Sequence, residues 1–207
     1  DKSKDVLTGL NIATSVVVGR GGIWVLNPPY LLFYPDANGD DVPDGDPEVH
    51  LSGFGLEDTH SVANSLSWGP DGWLYGANGS TTTATINSAA THNLHFKGQC
   101  IWRYHPDTKI FEVFAEGGGN TFSLEHDAKG RVFSGTNNGS TRGMHYAQGG
   151  YAKKNWGKHG PLTNPYAFGY YEHMRHDGDN DRFAQTFVIY EGGRFPERYN
   201  RMVIAAN

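Results

Sequence analysis

Apolar residues come in short clumps along this chain, such as Val16-Val17-Val18, Tyr30-Leu31-Leu32-Phe33-Tyr34 and Phe111 to Phe114, with Gly, Pro, Asn or Asp close by on both sides. Clumps of this length between turn residues predict short β-strands rather than helices. One pattern recurs. Ser65-Leu66-Ser67-Trp68-Gly69-Pro70-Asp71-Gly72-Trp73-Leu74-Tyr75 aligns without a gap on Ser123-Leu124-Glu125-His126-Asp127-Ala128-Lys129-Gly130-Arg131-Val132-Phe133 at an offset of 58, and both run into Asn-Gly-Ser loops at Asn78 and Asn138. A weaker copy, Val16 to Val25, matches Leu66 to Tyr75 at an offset of 50. Each copy reads strand, glycine turn, strand. An aromatic strand ending in Pro-Asp follows two of them (Leu31 to Asp36, Ile101 to Asp107), then a short apolar strand around Val49 or Phe111 to Phe114, which makes four strands per unit.

Units of about 40–50 residues with four strands each are the period of β-propeller blades, which bury their faces only against neighbouring blades. The expected fold is therefore all-β, a β-propeller, with blades at about 13–53, 62–116 and 122–190, the third carrying a long insert, and the start of a fourth at 199–207. Propellers close with about four to eight blades, so three and a half imply a fragment of a larger ring. Composition agrees: 28 Gly, 10 Pro, 5 Trp, 11 Tyr and 11 Phe suit many tight turns and aromatic strands. The apolar runs fall far short of the ~18 residues a membrane-spanning helix needs. The first residue is Asp1, with no charged-then-apolar leader after it, so the segment is silent on export.

Charge is local. Asp36, Asp40, Asp41, Asp44, Asp46 and Glu48 lie together with no Lys or Arg among them, and without these six the formal charge of −5 becomes +1. The sparse Lys153-Lys154 and Lys158 make no phosphate-neutralising patch, which argues against a nucleic-acid partner. A single Cys100 rules out an intrachain disulfide and a cysteine zinc cage without choosing a compartment.

Within the acidic run, Asp36, Asn38, Asp40 and Asp44 stand at positions 1, 3, 5 and 9 of an EF-hand-like loop, with the Val42 carbonyl at position 7. Such alternation suits calcium, a hard cation that takes six to eight oxygens. Asp41 replaces the usual glycine at position 6, and Asp46 and Glu48 flank Pro47 at position 12 as substitute ligands. The other reading is a solvated turn, since Asp, Asn and Gly make turns without any ion. A shorter run, Asp177-Gly178-Asp179-Asn180-Asp181, has Arg175 and Arg182 to neutralise it and reads as a charged surface turn.

Ten histidines include two pairs at i, i+3, His92/His95 and His173/His176, but neither lies in a helical pattern, so surface loops or aromatic packing account for them. His60 differs. It sits in Glu57-Asp58-Thr59-His60, just before the innermost strand of a blade, where loops line the mouth of a propeller. Beside acids there, an imidazole can act as a general base or remain an ordinary loop residue.

Asp58-Thr59-His60 followed by Leu66-Ser67-Trp68-Gly69-Pro70-Asp71-Gly72, then Gly118-Gly119-Asn120-Thr121-Phe122-Ser123-Leu124, and later Asn155-Trp156-Gly157, resemble in order the motifs of the soluble quinoprotein glucose/sorbosone dehydrogenase propellers. The strings 55–60, 68–76 and Asn164-Pro165-Tyr166-Ala167-Phe168-Gly169 are most similar to large secreted proteins with a "membrane-bound dehydrogenase domain". This resemblance implies a six-bladed propeller in the periplasm or outside the cell that binds pyrroloquinoline quinone with calcium and oxidises a small sugar or alcohol. It also implies a c-type haem domain elsewhere in the full-length chain. Carried over by motif, His60 takes the substrate proton, and Asn120, Asn138 and Gly139 contact the cofactor. Gly119 stands where quinoprotein members carry Arg, which favours the alternative of a non-catalytic glycan- or partner-binding propeller. A lactonase-like hydrolase would need a metal-ligating acid in the central channel, and the acidic loop lies between outer strands instead.

Overall fold

A computed structural model describes residues 3–135, 143–154, 160–172 and 187–205. The first unit is a four-stranded antiparallel meander of β1 (Ser15–Gly19), β2 (Gly22–Asn27), β3 (Tyr30–Pro35) and β4 (Glu48–Phe54). The second begins with β5 (Asn64–Trp68) and β6 (Leu74–Asn78). The chain then leaves it for a hairpin, β7 (Thr83–Asn87) and β8 (Leu94–Lys97), and returns through β9 (Cys100–His105) and β10 (Ile110–Gly118). A third antiparallel sheet follows, of β11 (Glu125–His126), β12 (Val132–Ser134) and β13 (Met144–Tyr146).

These sheets stand side by side around their first strands. Trp68 Nε1 donates to Val18 O at 3.0 Å and the Leu66 N–H to Ser15 Oγ at 2.8 Å, joining β5 to β1. On the other side, Ser67 Oγ lies 3.4 Å from His126 Nδ1 in β11, and Asn64 Nδ2 donates to Thr121 O at 3.0 Å. Leu66 in β5 and Leu124, one residue before β11, hold equivalent places, each buried toward the preceding sheet. That arrangement is a propeller seen over part of its ring.

Period-two alternation explains how the second blade is buried on both faces. Leu74, Cys100, Trp102 and Tyr104 face the first blade and meet Trp24, Leu26, Leu31, Leu51 and Phe54. Tyr75, Ala77, Ile101 and Phe114 point the other way, onto Leu124, Val132 and Tyr146. Gly76 pairs with Trp102 across β6 and β9, and a Cβ there would overlap the indole, so the ring lies directly on glycine backbone.

Two features depart from a plain series of four-stranded blades. The β7–β8 hairpin belongs to the second unit in sequence, but β7 pairs with β4, extending the first sheet to six strands. β14 (Gly150–Lys154) runs parallel to β10 and joins the second sheet instead of the third, with β15 (Gly169–Tyr170) parallel to it in turn. β16 (Phe187–Tyr190), placed by the repeat count in the third unit, pairs with β17 (Met202–Ala205). Among the described residues, no helix is long and apolar enough to cross a membrane.

Three histidines are held below the ordinary imidazole value of 6.5 chiefly by burial: His50, enclosed by Trp24, Phe33 and Tyr104, and His126 and His145 on the third sheet. Each is neutral in the fold and protonates more readily in the unfolded chain. Stability is therefore full above pH 6.5 and falls as pH drops from there toward the lowered folded values. Thermal melts across that window should show a declining midpoint, and His50→Gln should make the decline shallower. An unchanged slope would mean that His50 takes up no fewer protons folded than unfolded.

Candidate functional site

Antiparallel order puts the start of β5, the end of β6 and the end of β10 at one end of the second blade, and His60 and Asn120 meet there. Asn120 bridges the loops: its Oδ1 accepts the Ser80 N–H at 2.8 Å and its Nδ2 donates to His60 O at 3.4 Å. Gly79 is required at this crossing, because a Cβ would run into the Ser61 backbone and Asn120 Oδ1. Ser61 Oγ lies 2.8 Å from Thr81 Oγ1, and the Thr81 hydroxyl donates to Asp58 Oδ2 at 2.8 Å.

Asp58 orients His60. The Thr81 hydroxyl and then the His60 N–H, which reaches Asp58 Oδ1 at 3.0 Å, hold the Asp58 carboxyl below the usual carboxylate range, so it carries charge at neutral pH. His60 Nδ1 lies 3.4 Å from the same oxygen while the side chain is 94% exposed, leaving Nε2 open to solvent. A carboxylate-oriented imidazole with one open nitrogen can accept a proton from a bound hydroxyl.

Beneath the loops lies a buried amide network that the sequence reading missed. Asn78 Nδ2 donates to the carbonyls of Gly79, Thr82 and Gly98 at 3.0–3.3 Å. Gln99 Nε2 donates to Thr121 Oγ1 and Tyr146 Oη, both at 2.7 Å, and burial pushes the Tyr146 phenol well up so that it keeps its proton for Gly117 O at 3.1 Å. These bonds fix the loops that carry Asp58, His60 and Asn120. The signal available was the hydroxyl-rich run Ser80-Thr81-Thr82-Thr83 directly after Asn78-Gly79, which reads as solvated loop unless its backbone partners are known.

The acidic loop closes on its own backbone. Asp36 is buried and accepts the N–H groups of Gly39, Asp40 and Asp41 at 2.9–3.2 Å. Asp44 accepts the Ala37 N–H at 2.7 Å, Asn38 Oδ1 accepts the Asp40 N–H, and Asp40 Oδ1 accepts the Val42 N–H. Lys4 adds its ammonium to the Asp40 carbonyl at 3.0 Å, and Asp46 points into solvent. The repulsion expected among these acids is thus answered in part by backbone donors. Among the described residues no three acidic, His or Cys side chains are grouped to hold a metal.

Of the residues singled out for the quinone, Asn120 uses one lone pair and one N–H in loop-bridging bonds, and Gly119 offers no side chain where a cation would hold an anionic cofactor. Among the described residues, no hydrogen bond joins Asp58, His60, Ser61, Ser80, Thr81 or Asn120 to a Lys or Arg side chain. Asn138, Gly139, His173, His176 and the Asp177–Asp181 run lie outside the described residues. His95 lies in β8 with Nδ1 3.1 Å from Thr85 Oγ1, and His92 is exposed just before that strand.

Over residues 1–207 the sequence matches the family described as a domain of unknown function, DUF7133. No protein with a curated description matches it. Among solved structures it is similar to a protein assigned as a gluconolactonase, at 10% identity and a TM-score of 0.41, over 63% of this chain and 46% of that one. It is also similar to the PQQ-bound aldose sugar dehydrogenase of Streptomyces coelicolor, at 18% identity and a TM-score of 0.40, over 61% of this chain and 40% of that one. Each match spans less than half the length of the solved protein.

Proposed function

We propose that this chain, which belongs to the DUF7133 family, contributes to a propeller the mouth at which a small sugar or alcohol is bound and oxidised, with His60 accepting the proton of the substrate hydroxyl and the hydride of the carbinol carbon going to a quinone-type redox cofactor that the complete ring of the full-length protein would hold. The observation that carries this reading is the Asp58–His60 pair on a rigid loop cluster: an ionised carboxylate at 3.4 Å orients an imidazole whose other nitrogen is open. Serine and threonine hydroxyls around it suit a neutral polyol. Asp58 positions and polarises the ring, the amide network beneath prevents the loops from shifting, and His60 Nε2 takes the proton. The residues near Asn120 do not form a quinone pocket by themselves, so the remaining blades of the full-length protein would have to complete it. The motif resemblance to secreted propellers supports a periplasmic or extracellular setting.

A second reading, a non-catalytic glycan-binding module, is favoured by the commitment of Asn120 to bridging and by Gly119. One experiment separates the two. The full-length protein is assayed with sugars and alcohols and an artificial electron acceptor, with and without added quinone and calcium. Oxidation that His60→Ala lowers by about 10²-fold or more, the usual worth of a general base, with an unchanged melting temperature, supports the enzyme. Turnover that survives His60→Ala removes His60 as the base, and no turnover with any substrate moves the assignment to the binding module.

A further inference from the structure

We propose that a groove on the outer side of the second blade is a binding site for a neutral oligosaccharide, separate from the His60 loops and independent of their assignment. Its volume is about 710 Å³, and Leu94, Ile110, Glu112, Gln148, Tyr166 and Phe168 are among its lining residues. That size is in the range of ligand-binding clefts. It opens beside the first residues of β10, whereas Asn120 follows the last, which at about 3.3 Å per residue separates the two sites by on the order of 20 Å.

Two of its aromatic side chains are exposed on an anchored stretch of backbone. Tyr166 is 84% and Phe168 78% exposed, so neither ring gains much from folding. Their backbone, however, is anchored. The buried Glu116 carboxylate accepts the N–H groups of Thr163 and Asn164 at 2.9 and 2.7 Å and the Thr163 hydroxyl at 2.8 Å. Asn164 Nδ2 donates to Val113 O at 3.2 Å, its Oδ1 accepts the Tyr166 N–H at 3.0 Å, and the Phe168 N–H reaches Gly149 O at 2.9 Å. Gly149 has no Cβ, and one placed there would overlap the Phe168 ring. Exposed rings on a preorganised segment pay little entropy on binding, which marks a recognition surface. This assigns a task to the motif Asn164-Pro165-Tyr166-Ala167-Phe168-Gly169, of which the His60 site makes no use.

The polar residues select the ligand class. Glu112 Oε1 is engaged by Arg103 Nε at 2.6 Å and Gln148 Nε2 at 3.3 Å, and among the described residues Oε2 stays open to accept from a ligand. Gln148 and His95 are exposed at the groove and can both donate and accept. Aromatic faces for sugar C–H surfaces beside amide, imidazole and carboxylate partners for hydroxyls are what an oligosaccharide requires. Among the described residues the lining has one carboxylate and no Lys or Arg, which disfavours sulfated or uronic acid chains.

Titration calorimetry of the full-length protein against neutral gluco-, xylo- and manno-oligosaccharides and their sulfated counterparts tests this. One neutral series should bind and its sulfated form should not. The Tyr166→Ala/Phe168→Ala variant, altered only at exposed side chains, should keep its melting temperature and lose about ten-fold or more in affinity. His60→Ala should bind like the wild type, so that failure at either site is seen separately from failure at the other. The proposal is overturned if no neutral series binds, if sulfated chains bind equally well, if the double variant retains full affinity, or if a polypeptide ligand proves to occupy the groove.

Discussion

Lys154→Met should destabilise the full-length protein by about 3–5 kcal/mol, the usual cost of stranding one partner of a buried ion pair. Lys154 Nζ lies 3.4 Å from Glu116 Oε1, with side chains only 5% and 1% exposed, and donates to Lys97 O at 2.6 Å and Pro161 O at 2.8 Å. Methionine fills the same space but leaves two carbonyls without their donor and a carboxylate without its cation. Denaturant unfolding followed by tryptophan fluorescence gives the number. Adding Glu116→Gln should recover part of the loss, because the stranded charge is gone although the bonds to Thr163 and Asn164 are weakened. A loss under about 1 kcal/mol for Lys154→Met would place the pair with solvent-screened bridges instead.

Trp102→Ala should cost a similar amount, about 3–5 kcal/mol, because a fully buried indole leaves a cavity that the surrounding strands cannot close. The ring packs on Phe54 and Phe111 and its Nε1 donates to Ala77 O at 3.2 Å, so a hydrogen bond is lost with the volume. Gly76 makes the prediction sharper. Gly76→Ala alone should destabilise strongly, since its methyl overlaps the indole. Placed in the Trp102→Ala background, the same methyl enters the vacated space and should restore stability. A double-mutant cycle with strictly additive losses would show that the two positions do not share that space.

The repeat at offsets of 50 and 58 carried the fold. It aligned the β1–β2, β5–β6 and β11–β12 hairpins because each copy must turn at the same place and bury alternate residues toward a neighbour. It could not reveal which edge a strand joins. Thr83-Ala84-Thr85-Ile86-Asn87 alternates as a strand should, and Ala84 and Ile86 are buried, but the partner strand β4 lies in another repeat, a choice made by three-dimensional proximity alone. β14 joining β10 in parallel is hidden for the same reason. At the site, the repeat put His60 just before an innermost strand, and the motif resemblance singled out Asn120. It did not reveal that Asn120 is held by the Ser80 N–H, nor that the acidic loop would satisfy its carboxylates from its own backbone. Side-chain composition counts charges but says nothing of where main-chain N–H groups point.

The β7–β8 hairpin also sets the order of assembly. The first blade's own strands end at Phe54, but its sheet is completed only by residues up to Lys97, contributed from within the next repeat. As the chain leaves the ribosome, the outer edge of β4 therefore stays unpaired until most of the second unit has emerged, and a bare strand edge is a template for wrong partners. Capture of that edge ties the two repeats into one cooperative step. In native-state hydrogen exchange, the amides of β4 and β9 should then open together, at a free energy separate from that of β12.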